Sequence, residues 1–212
     1  MSGYKVKVLS NAVWRKFKSA RLDVSLQNTK QIGEKFETAL LWAIDNFEHV
    51  EISLADTLQR HTFSADYNVD IEKSNNMTIR EGDVWIDYHR DLLEKHNIPV
   101  IRWNERISHV DFEQYHQMVR ELYLTNLEFK KLVNDDCNSF IQRRSYSENK
   151  RLFVLNYILE EQAVFAMLSQ KENSIGIYPG SILGCYRGQN RPELFKNTEF
   201  CKIDFLRNKK LV

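Results

Sequence analysis

A serine lies where an open α/β sheet would expose a nucleophile. Residues 20–24 (ARLDV) are predicted to form a strand, Ser25 follows directly, and apolar residues at helical spacing begin at Ile32. Ligands bind at the carboxyl edge of such a sheet, and a helix N-terminus there would offer free N–H groups to a developing oxyanion. These features fit nucleophilic catalysis by Ser25. The alternative is that Ser25 or Asn28 only caps the following helix.

A second candidate group is a tyrosine and a glutamate on one helix face. The segment 156–161 reads NYILEE, and Tyr157 and Glu161 are four residues apart, so they share a face of the predicted helix. Their neighbours between positions 153 and 165 are mostly apolar. A carboxylate in such surroundings could hold the ammonium group of a substrate, with the phenol assisting. The alternative is a tyrosine at the margin of the core beside a solvated glutamate.

A third candidate is the segment 179–186, which reads PGSILGCY. Its two glycines would let the backbone approach a ligand closely, and Tyr186 could project into a site. The alternative is a plain loop.

Basic residues are clustered although the formal net charge is only +1. Such clusters can pair with phosphates even when acidic residues elsewhere balance the total; a solvated surface is the commoner explanation. Smaller clusters lie at positions 5–18 and 202–210. The cluster in the middle of the chain consists of Lys130, Lys131, Arg143, Arg144, Lys150 and Arg151.

The pattern of elements predicts an α/β protein. Strands are expected at residues 4–9, 20–24, 50–54 and 98–103, with helices at 32–47 and at 78–96, the latter bent near Gly82. Residues 62–77 are polar and are expected to be partly loop. Three helices are predicted at 112–124, 127–143 and 148–169, before strands at 174–178 and 200–205. The expected fold is a Rossmann-like parallel sheet flanked by helices, with a helical insertion before the last strands, in a single domain over residues 1–212.

Composition and absent motifs narrow the function. The 212-residue chain is 42% hydrophobic and 28% charged, and it has no run of 18 apolar residues and no apolar leader, so no membrane segment is expected. Its three cysteines form no CxxC pair, so a zinc site built from cysteine is not expected. The cysteines are expected to be reduced thiols in a cytoplasm. The sequence lacks a P-loop, GxGxxG, GxSxG and HExxH, and it also lacks the HIGH and KMSKS motifs of ATP-dependent class I synthetases.

Taken together and in order, these segments resemble the tRNA-dependent cyclodipeptide synthases. The resemblance spans about residues 20 to 190, and its most specific parts are the serine segment and the Tyr-x-x-x-Glu helix. The matching segments are VSLQN (24–28), LWA (41–43), DTLQRH (56–61), GDVW (82–85), NYILEE (156–161) followed by Phe165, and YPGSIL (178–183).

The resemblance implies a fold similar to the catalytic domain of class I tyrosyl- and tryptophanyl-tRNA synthetases. It implies that Ser25 is the nucleophile and that Tyr157 and Glu161 position the aminoacyl group. Asn28 matches a position that separates two subfamilies, and Phe165 and Leu183 are expected with it in the substrate pocket. The family also has a tyrosine soon after the Pro-x-Ser-x-Leu stretch; Cys185 falls there without a gap, and Tyr186, the favoured choice, falls there with one inserted residue.

The implied reaction is ping-pong acyl transfer between two aminoacyl-tRNAs. An aminoacyl-Ser25 ester forms first, reaction with a second aminoacyl-tRNA makes a dipeptidyl-enzyme, and the free amine of the dipeptide closes on the ester to release a diketopiperazine. No metal or cofactor is expected. The protein is expected to be a monomer. Two other functions remain open: a non-catalytic tRNA- or nucleotide-binding Rossmann module, and a serine ester hydrolase.

Asp23 gives a hypothesis about the first amino acid. It lies two residues before Ser25 on the same strand, so alternation places both on one sheet face. The family usually has a small or apolar residue there, and a buried carboxylate is costly unless a cation or donor meets it. The hypothesis is that the first substrate side chain is basic or donates a hydrogen bond, as in His, Lys or Arg. The alternative is that Asp23 pairs with Arg21 or another internal base.

Overall fold

The strands of this protein form a mixed sheet. In the computed structural model, which describes residues 3–186 and 191–208, six strands lie in the order β1-β6-β5-β2-β3-β4. Neighbouring strands are parallel except β1 and β6, which are antiparallel. The strands are β1 Tyr4–Val8, β2 Ser19–Val24, β3 His49–Leu54, β4 Val100–Arg102, β5 Ser174–Tyr178 and β6 Phe200–Arg207. The predicted α/β, Rossmann-like sheet is confirmed, with an antiparallel edge strand that the sequence did not reveal.

Seven α-helices in the described ranges flank this sheet. Four of them, α4 to α7, lie between β4 and β5, as the predicted helical insertion requires. The helices are α1 Gly33–Asn46, α2 Arg60–Tyr67, α3 Ile71–Lys95, α4 Trp103–Ile107, α5 Phe112–Thr125, α6 Leu127–Arg144 and α7 Arg151–Lys171.

The two faces of β2 meet different surroundings. Ala20, Leu22 and Val24 are buried in a core cluster shared with α1 and α3. The alternate residues are polar and point to the other face, where the Arg21 guanidinium lies 5.1 Å from the ring centroid of Phe165 on α7. This alternation brings the polar residues of β2 and the following Ser25 to the α7 side of the sheet.

Residues 62–77, expected to be partly loop, are mostly helical. The α2 helix ends at Tyr67, Asn68 adopts a left-handed conformation with φ of 52°, and the Asp70 side chain caps α3 by accepting a hydrogen bond from Lys73 N at 2.7 Å. The prediction was wrong because the helices here have polar residues on both sides: most are exposed, whereas Thr62, Ser64 and Ser74 are buried. Only the short connection 68–70 is irregular.

The expected bend near Gly82 is also absent, because α3 is one continuous helix. The absence of a side chain at Gly82 instead allows its neighbours to pack closely. A Cβ atom there would lie 2.6 Å from Asp56 Oδ2 and 2.7 Å from Arg102 Nη2. The missing side chain lets α3 pack against an ion pair at the ends of β3 and β4, where Arg102 Nε lies 2.6 Å from Asp56 Oδ2.

The most apolar helix is largely buried. The segment 148–171 has a mean hydropathy of 1.3 over its most apolar window, enough by length and composition to cross a membrane. However, 67% of that window is buried inside the protein. Its apolar residues pack with α5 and α6 in the second core cluster, so the composition is that of a core helix.

Candidate active site

The carboxyl ends of three neighbouring parallel strands open into a cavity of about 530 Å³. Ser25 directly follows β2, Gln59 ends a 3-10 turn that follows β3, and Tyr178 is the last residue of β5. All three line the cavity, and α7 closes its other side with Tyr157 and Glu161. Ligands of open α/β sheets bind at this edge.

Most of the residues singled out from sequence meet at this cavity. Four of the basic residues do not line it: Lys130, Lys131, Lys150 and Arg151. Those that do are Asp23, Ser25, Asn28, Arg143, Arg144, Tyr157, Glu161, Phe165, Leu183 and Tyr186.

Two glutamines hold Ser25. Its backbone N–H donates to Gln31 Oε1 at 2.9 Å, and Gln31 Nε2 in turn donates to the Asp23 carbonyl at 2.5 Å. The Ser25 hydroxyl oxygen accepts a hydrogen bond from Gln59 Nε2 at 3.1 Å. Both the backbone and the side chain of Ser25 are therefore fixed by groups outside β2.

The expected helix N-terminus beside Ser25 is wrong. The α1 helix begins only at Gly33, and the Ser25 N–H is already bonded to Gln31. Asn28 does act as a cap, but of the 3-10 turn Thr29–Gln31, where its side chain accepts from Lys30 N at 3.0 Å. The turn is too short to present a helix dipole, so the dipole expected to stabilise an oxyanion at Ser25 is absent.

Tyr157 is buried with its hydroxyl next to the same glutamine. The hydroxyl oxygen accepts from Gln59 Nε2 at 3.4 Å. Burial, with the nearby Glu161 carboxylate, raises the pKa of Tyr157 well above its usual value. The phenol therefore stays protonated at neutral pH and can act as a hydrogen-bond donor.

Glu161 faces the cavity one helical turn further along. Within the described ranges its carboxylate makes no hydrogen bond or ion pair with another residue. Burial, together with the charges of Asp23 and Asp136, raises the pKa of Glu161 to about 8. A carboxylate in this state gains most from a cationic ligand, because the cation removes the cost of ionising it.

Asp23 is paired inside the protein. Its Oδ1 lies 2.5 Å from Arg21 Nε, and both residues are buried. The pairing follows from strand alternation, which puts Arg21 and Asp23 on the same face of β2. The cation that Asp23 requires is therefore Arg21, and the reason for expecting a basic first amino acid is lost.

Tyr178 is a site residue that the sequence did not single out. It lines the cavity, and burial together with the Glu161 charge raises its pKa to about 12, against a smaller lowering by the Asn28 side chain. Gly180 makes room for its ring, since a Cβ there would lie 2.5 Å from Tyr178 Cε1. The available signal was its place at the end of a strand, but only the sheet order puts β5 next to β2.

Of the two candidates for the family tyrosine, Tyr186 lies at the cavity and Cys185 does not. The Cys185 thiol is buried and accepts from Gln162 Nε2 at 3.2 Å. The Tyr186 ring packs against Phe165 and Phe200, with centroids 6.0 and 5.1 Å away. Its hydroxyl is buried without a hydrogen-bond partner in the part of the chain that the structure describes. Tyr178 and Tyr186 are thus both phenols of this site.

Comparison with solved structures finds matches to this chain, whereas comparison with family profiles and curated proteins finds none. A cyclodipeptide synthase (CDPS) from Fluoribacter dumoffii has a TM-score of 0.83 at 19% identity, and the match covers 98% of this chain and 100% of that one. A cyclodipeptide synthase from Candidatus Glomeribacter gigasporarum, bound to Phe-tRNAPhe, has a TM-score of 0.66 at 20% identity, covering 92% and 89%. The chain has the fold of the cyclodipeptide synthases.

A third solved structure extends this comparison. A Mycobacterium tuberculosis protein, described as demonstrating that cyclodipeptide synthetases are related to type I tRNA synthetases, has a TM-score of 0.74 at 12% identity. The match covers 98% of this chain and 94% of the Mycobacterium tuberculosis protein. The resemblance seen in the sequence segments is confirmed at the level of the fold, which is shared over nearly the whole length of these cyclodipeptide synthases.

The middle basic cluster divides into two groups on this fold. Arg143 and Arg144 lie at the cavity, and both guanidinium groups lie 5.6 Å from the Phe140 ring centroid. Arg144 is also held by Asp66 and Gln27. Arg143 has no carboxylate partner among the described residues. This unpaired charge at the cavity is the best placed of the six for a phosphate.

The other four basic residues lie away from the cavity. Lys131 pairs with Asp135 at 2.8 Å, and Arg151 pairs with Glu148. The ammonium groups of Lys130 and Lys150 lie over the rings of Tyr123 and Phe153, at 5.7 and 5.9 Å. Surface ion pairs of this kind are worth about 0–1 kcal/mol and exchange readily for other partners, so a role in tRNA binding stays a prediction for these four.

Proposed function

We propose that this protein is a tRNA-dependent cyclodipeptide synthase. The observation that carries the proposal is the cavity at the carboxyl edge of the sheet, which Ser25 lines together with Tyr157, Glu161 and Tyr178. A nucleophile, an ammonium-binding carboxylate and protonated phenols are the groups that aminoacyl transfer requires. The shared fold of the solved cyclodipeptide synthases supports it.

In the first half-reaction, Ser25 Oγ attacks the ester carbon of an aminoacyl-tRNA. The bond between that carbon and the ribose oxygen breaks, and the serine proton passes to the released tRNA hydroxyl. No histidine of the described ranges bonds to Ser25, and His61 on α2 bonds to Glu160 at 3.0 Å instead. An activated ester can be attacked without a strong base, which suits a serine held only by amides.

Glu161 and Tyr157 then hold the amino group of the bound aminoacyl moiety. Glu161 offers an unpaired carboxylate to an ammonium ion, and the cation reverses the rise in its pKa. Tyr157, one helical turn away, can contact the same group. Phe165 and Leu183 add apolar surface to the cavity, and apolar surface strengthens a charge pair by excluding water.

The second half-reaction joins and cyclises the two amino acids. The amine of the aminoacyl group on Ser25 attacks the ester carbon of a second aminoacyl-tRNA. The bond from that carbon to the ribose oxygen breaks, and a proton from the amine passes to the released tRNA hydroxyl. This step gives a dipeptide that is still esterified to Ser25. Its free amine then attacks that ester, releases the diketopiperazine and returns the proton to Ser25. Tyr178 and Tyr186 are protonated phenols near this ester, and we assign them to hydrogen-bonding the carbonyl oxygens that gain charge.

The proposed substrates are two aminoacyl-tRNAs, used in the cytoplasm by a monomer. No metal or cofactor enters the reaction: ester activation is supplied by the tRNA. Arg143 and Arg144, at the mouth of the cavity, are assigned to the phosphates of the tRNA acceptor end.

Incubation of the purified protein with total charged bacterial tRNA tests the proposal. Mass spectrometry of the reaction should show cyclic dipeptides and, in rapidly quenched samples, protein with one added aminoacyl group. Binding of charged tRNA without turnover would instead indicate a non-catalytic module. Release of free amino acids without any cyclic dipeptide would indicate an ester hydrolase.

A further inference from the structure

Gln59 connects the two residues that the proposed reaction uses first. Its Nε2 lies 3.1 Å from Ser25 Oγ and 3.4 Å from the Tyr157 hydroxyl. One carboxamide nitrogen carries two hydrogens, which is the number needed to donate to both oxygens. Gln59 is only 2% exposed, so water does not compete for these bonds.

Other hydrogen bonds fix the Gln59 side chain and its backbone. In this orientation the Thr62 hydroxyl is shared between two acceptors of Gln59, its backbone carbonyl at 3.0 Å and its Oε1 at 3.3 Å. The backbone is equally fixed: Gln59 ends the 3-10 turn Thr57–Gln59, which Asp56 caps by accepting from Thr57 N at 2.7 Å. Asp56 is anchored in turn by Arg102. A donor fixed in this way loses little entropy when it bonds to a reacting group.

The position of these bonds determines where two protons point. Because Ser25 Oγ accepts from Gln59, its own hydrogen points away from the amide, and in the described residues it has no acceptor. The same holds for the hydrogen of the Tyr157 hydroxyl. Both hydrogens are left for groups of the substrate in the cavity.

We propose that Gln59 is a positioning residue for acyl transfer, which orients Ser25 for attack and directs the Tyr157 proton to the substrate; this rests on the proposed function. In the step concerned, the bond from Ser25 Oγ to the ester carbon forms and the bond from that carbon to the ribose oxygen breaks. The serine proton ends on the released tRNA hydroxyl. The Gln59 hydrogen bonds disperse charge on Oγ while that proton leaves.

An amide suits this place and a carboxylate does not. Asp23 and Glu161 already put two carboxylates at the cavity, and Asp23 contributes to the raised pKa of Glu161. A negative charge about 3 Å from Ser25 Oγ would oppose charge developing on that oxygen. A carboxylate also has no hydrogen to donate, so it could only accept from Ser25 and Tyr157.

The first test is Gln59→Leu in a single-turnover experiment with excess protein. Total bacterial tRNA charged with radiolabelled amino acids serves as the probe, and the formation of labelled protein is timed. We expect the acylation rate to fall roughly tenfold to a hundredfold, as for loss of a donor to a reacting group, with unchanged tRNA affinity. Gln114→Leu, an exposed change on α5, is the matched control and should acylate at the wild-type rate.

The second test separates donation from simple packing. Gln59→Glu keeps the size of the side chain, but the introduced carboxyl group donates a hydrogen only when protonated. The ratio of its acylation rate to that of wild type should rise as the pH falls from about 8 to about 6, since burial raises the pKa of an introduced carboxyl group. This test also serves if Gln59→Leu folds poorly.

The outcomes are distinct. A Gln59→Leu protein that folds and acylates at the wild-type rate overturns the proposal, and so does a Gln59→Glu protein whose acylation rate relative to wild type stays the same across this pH range. A wild-type protein that forms no labelled ester at all refutes the proposed function instead.

Discussion

Glu160 and Glu161 are adjacent on α7, yet their carboxyl groups have pKa values about six units apart, at about 2 and about 8. Burial opposes ionisation at both. At Glu160 it is overcome by His61 at 3.0 Å, by Arg60 through two bonds of 2.9 and 2.5 Å, and by Trp103 Nε1 at 2.8 Å. At Glu161 the charges of Asp23 and Asp136 add to the effect of burial, and no ion pair offsets it among the described residues. One glutamate stabilises the fold and the other is left for a ligand.

The pH dependence of stability should report this state of Glu161. In the folded protein the carboxyl group holds its proton up to about pH 8, whereas in the unfolded chain it releases it near its usual value of 4.5. The folded state therefore binds more protons between these values, and the free energy of unfolding falls as the pH rises through this window. The stability that Glu161 contributes is fully present below pH 4.5 and is lost above about pH 8.

Urea denaturation of wild type and Glu161→Gln across this pH range provides the measurement. The wild-type slope should be the steeper one, by at most about 1.4 kcal/mol per pH unit, the limit for one proton. Equal slopes for the two proteins would contradict the raised pKa. Glu160 does not interfere, because its lowered pKa affects stability only as the pH falls below 4.5.

Glu161→Gln and Tyr157→Phe should each reduce cyclic dipeptide formation while leaving the fold intact. Loss of a charge-assisted hydrogen bond to the substrate ammonium costs on the order of 1.5–3 kcal/mol, roughly ten- to a hundredfold in rate. The measurement is product formation with circular dichroism as the control for folding. Wild-type activity in both variants would show that neither residue positions the aminoacyl group.

Binding of tRNA should weaken steeply with salt, because lysine and arginine contacts to phosphate release counterions. Arg143→Glu should weaken affinity more than any other reversal in the middle cluster, since this charge lies at the cavity without a carboxylate partner. Lys95→Glu, at the end of α3, makes the same change in net charge and serves as the control. Equal affinities of the two variants in filter binding would show that the tRNA-binding surface lies elsewhere.

Much of the fold was predictable because it depends on local patterns. Apolar runs such as residues 50–54 and 174–178 indicate buried strands, and the apolar spacing in α1 indicates a helix against the sheet. The prediction failed at residues 62–77, where exposed helix faces have the composition of a loop. It also missed the antiparallel pairing of β1 with β6, which joins residues nearly 200 positions apart in the sequence.

The site was predictable only in part, for a related reason. Ser25, Tyr157 and Glu161 stand in segments whose residue types and spacing suggest chemistry. Gln59 and Tyr178 act through neighbours on other strands, and nothing in their own segments says that β5 and β3 both lie beside β2. The pairing of Asp23 with Arg21 was weighed as an alternative, and only the side-chain geometry decides it.

The central claim is a covalent aminoacyl group on Ser25. Wild-type protein and Ser25→Ala should each be mixed with charged tRNA, quenched in acid and examined by mass spectrometry of the intact protein and its peptides. We predict one added aminoacyl group on the peptide that contains Ser25 in the wild type, and neither this adduct nor any cyclic dipeptide with Ser25→Ala. Cyclic dipeptide formation by Ser25→Ala at a rate near that of wild type would contradict the account.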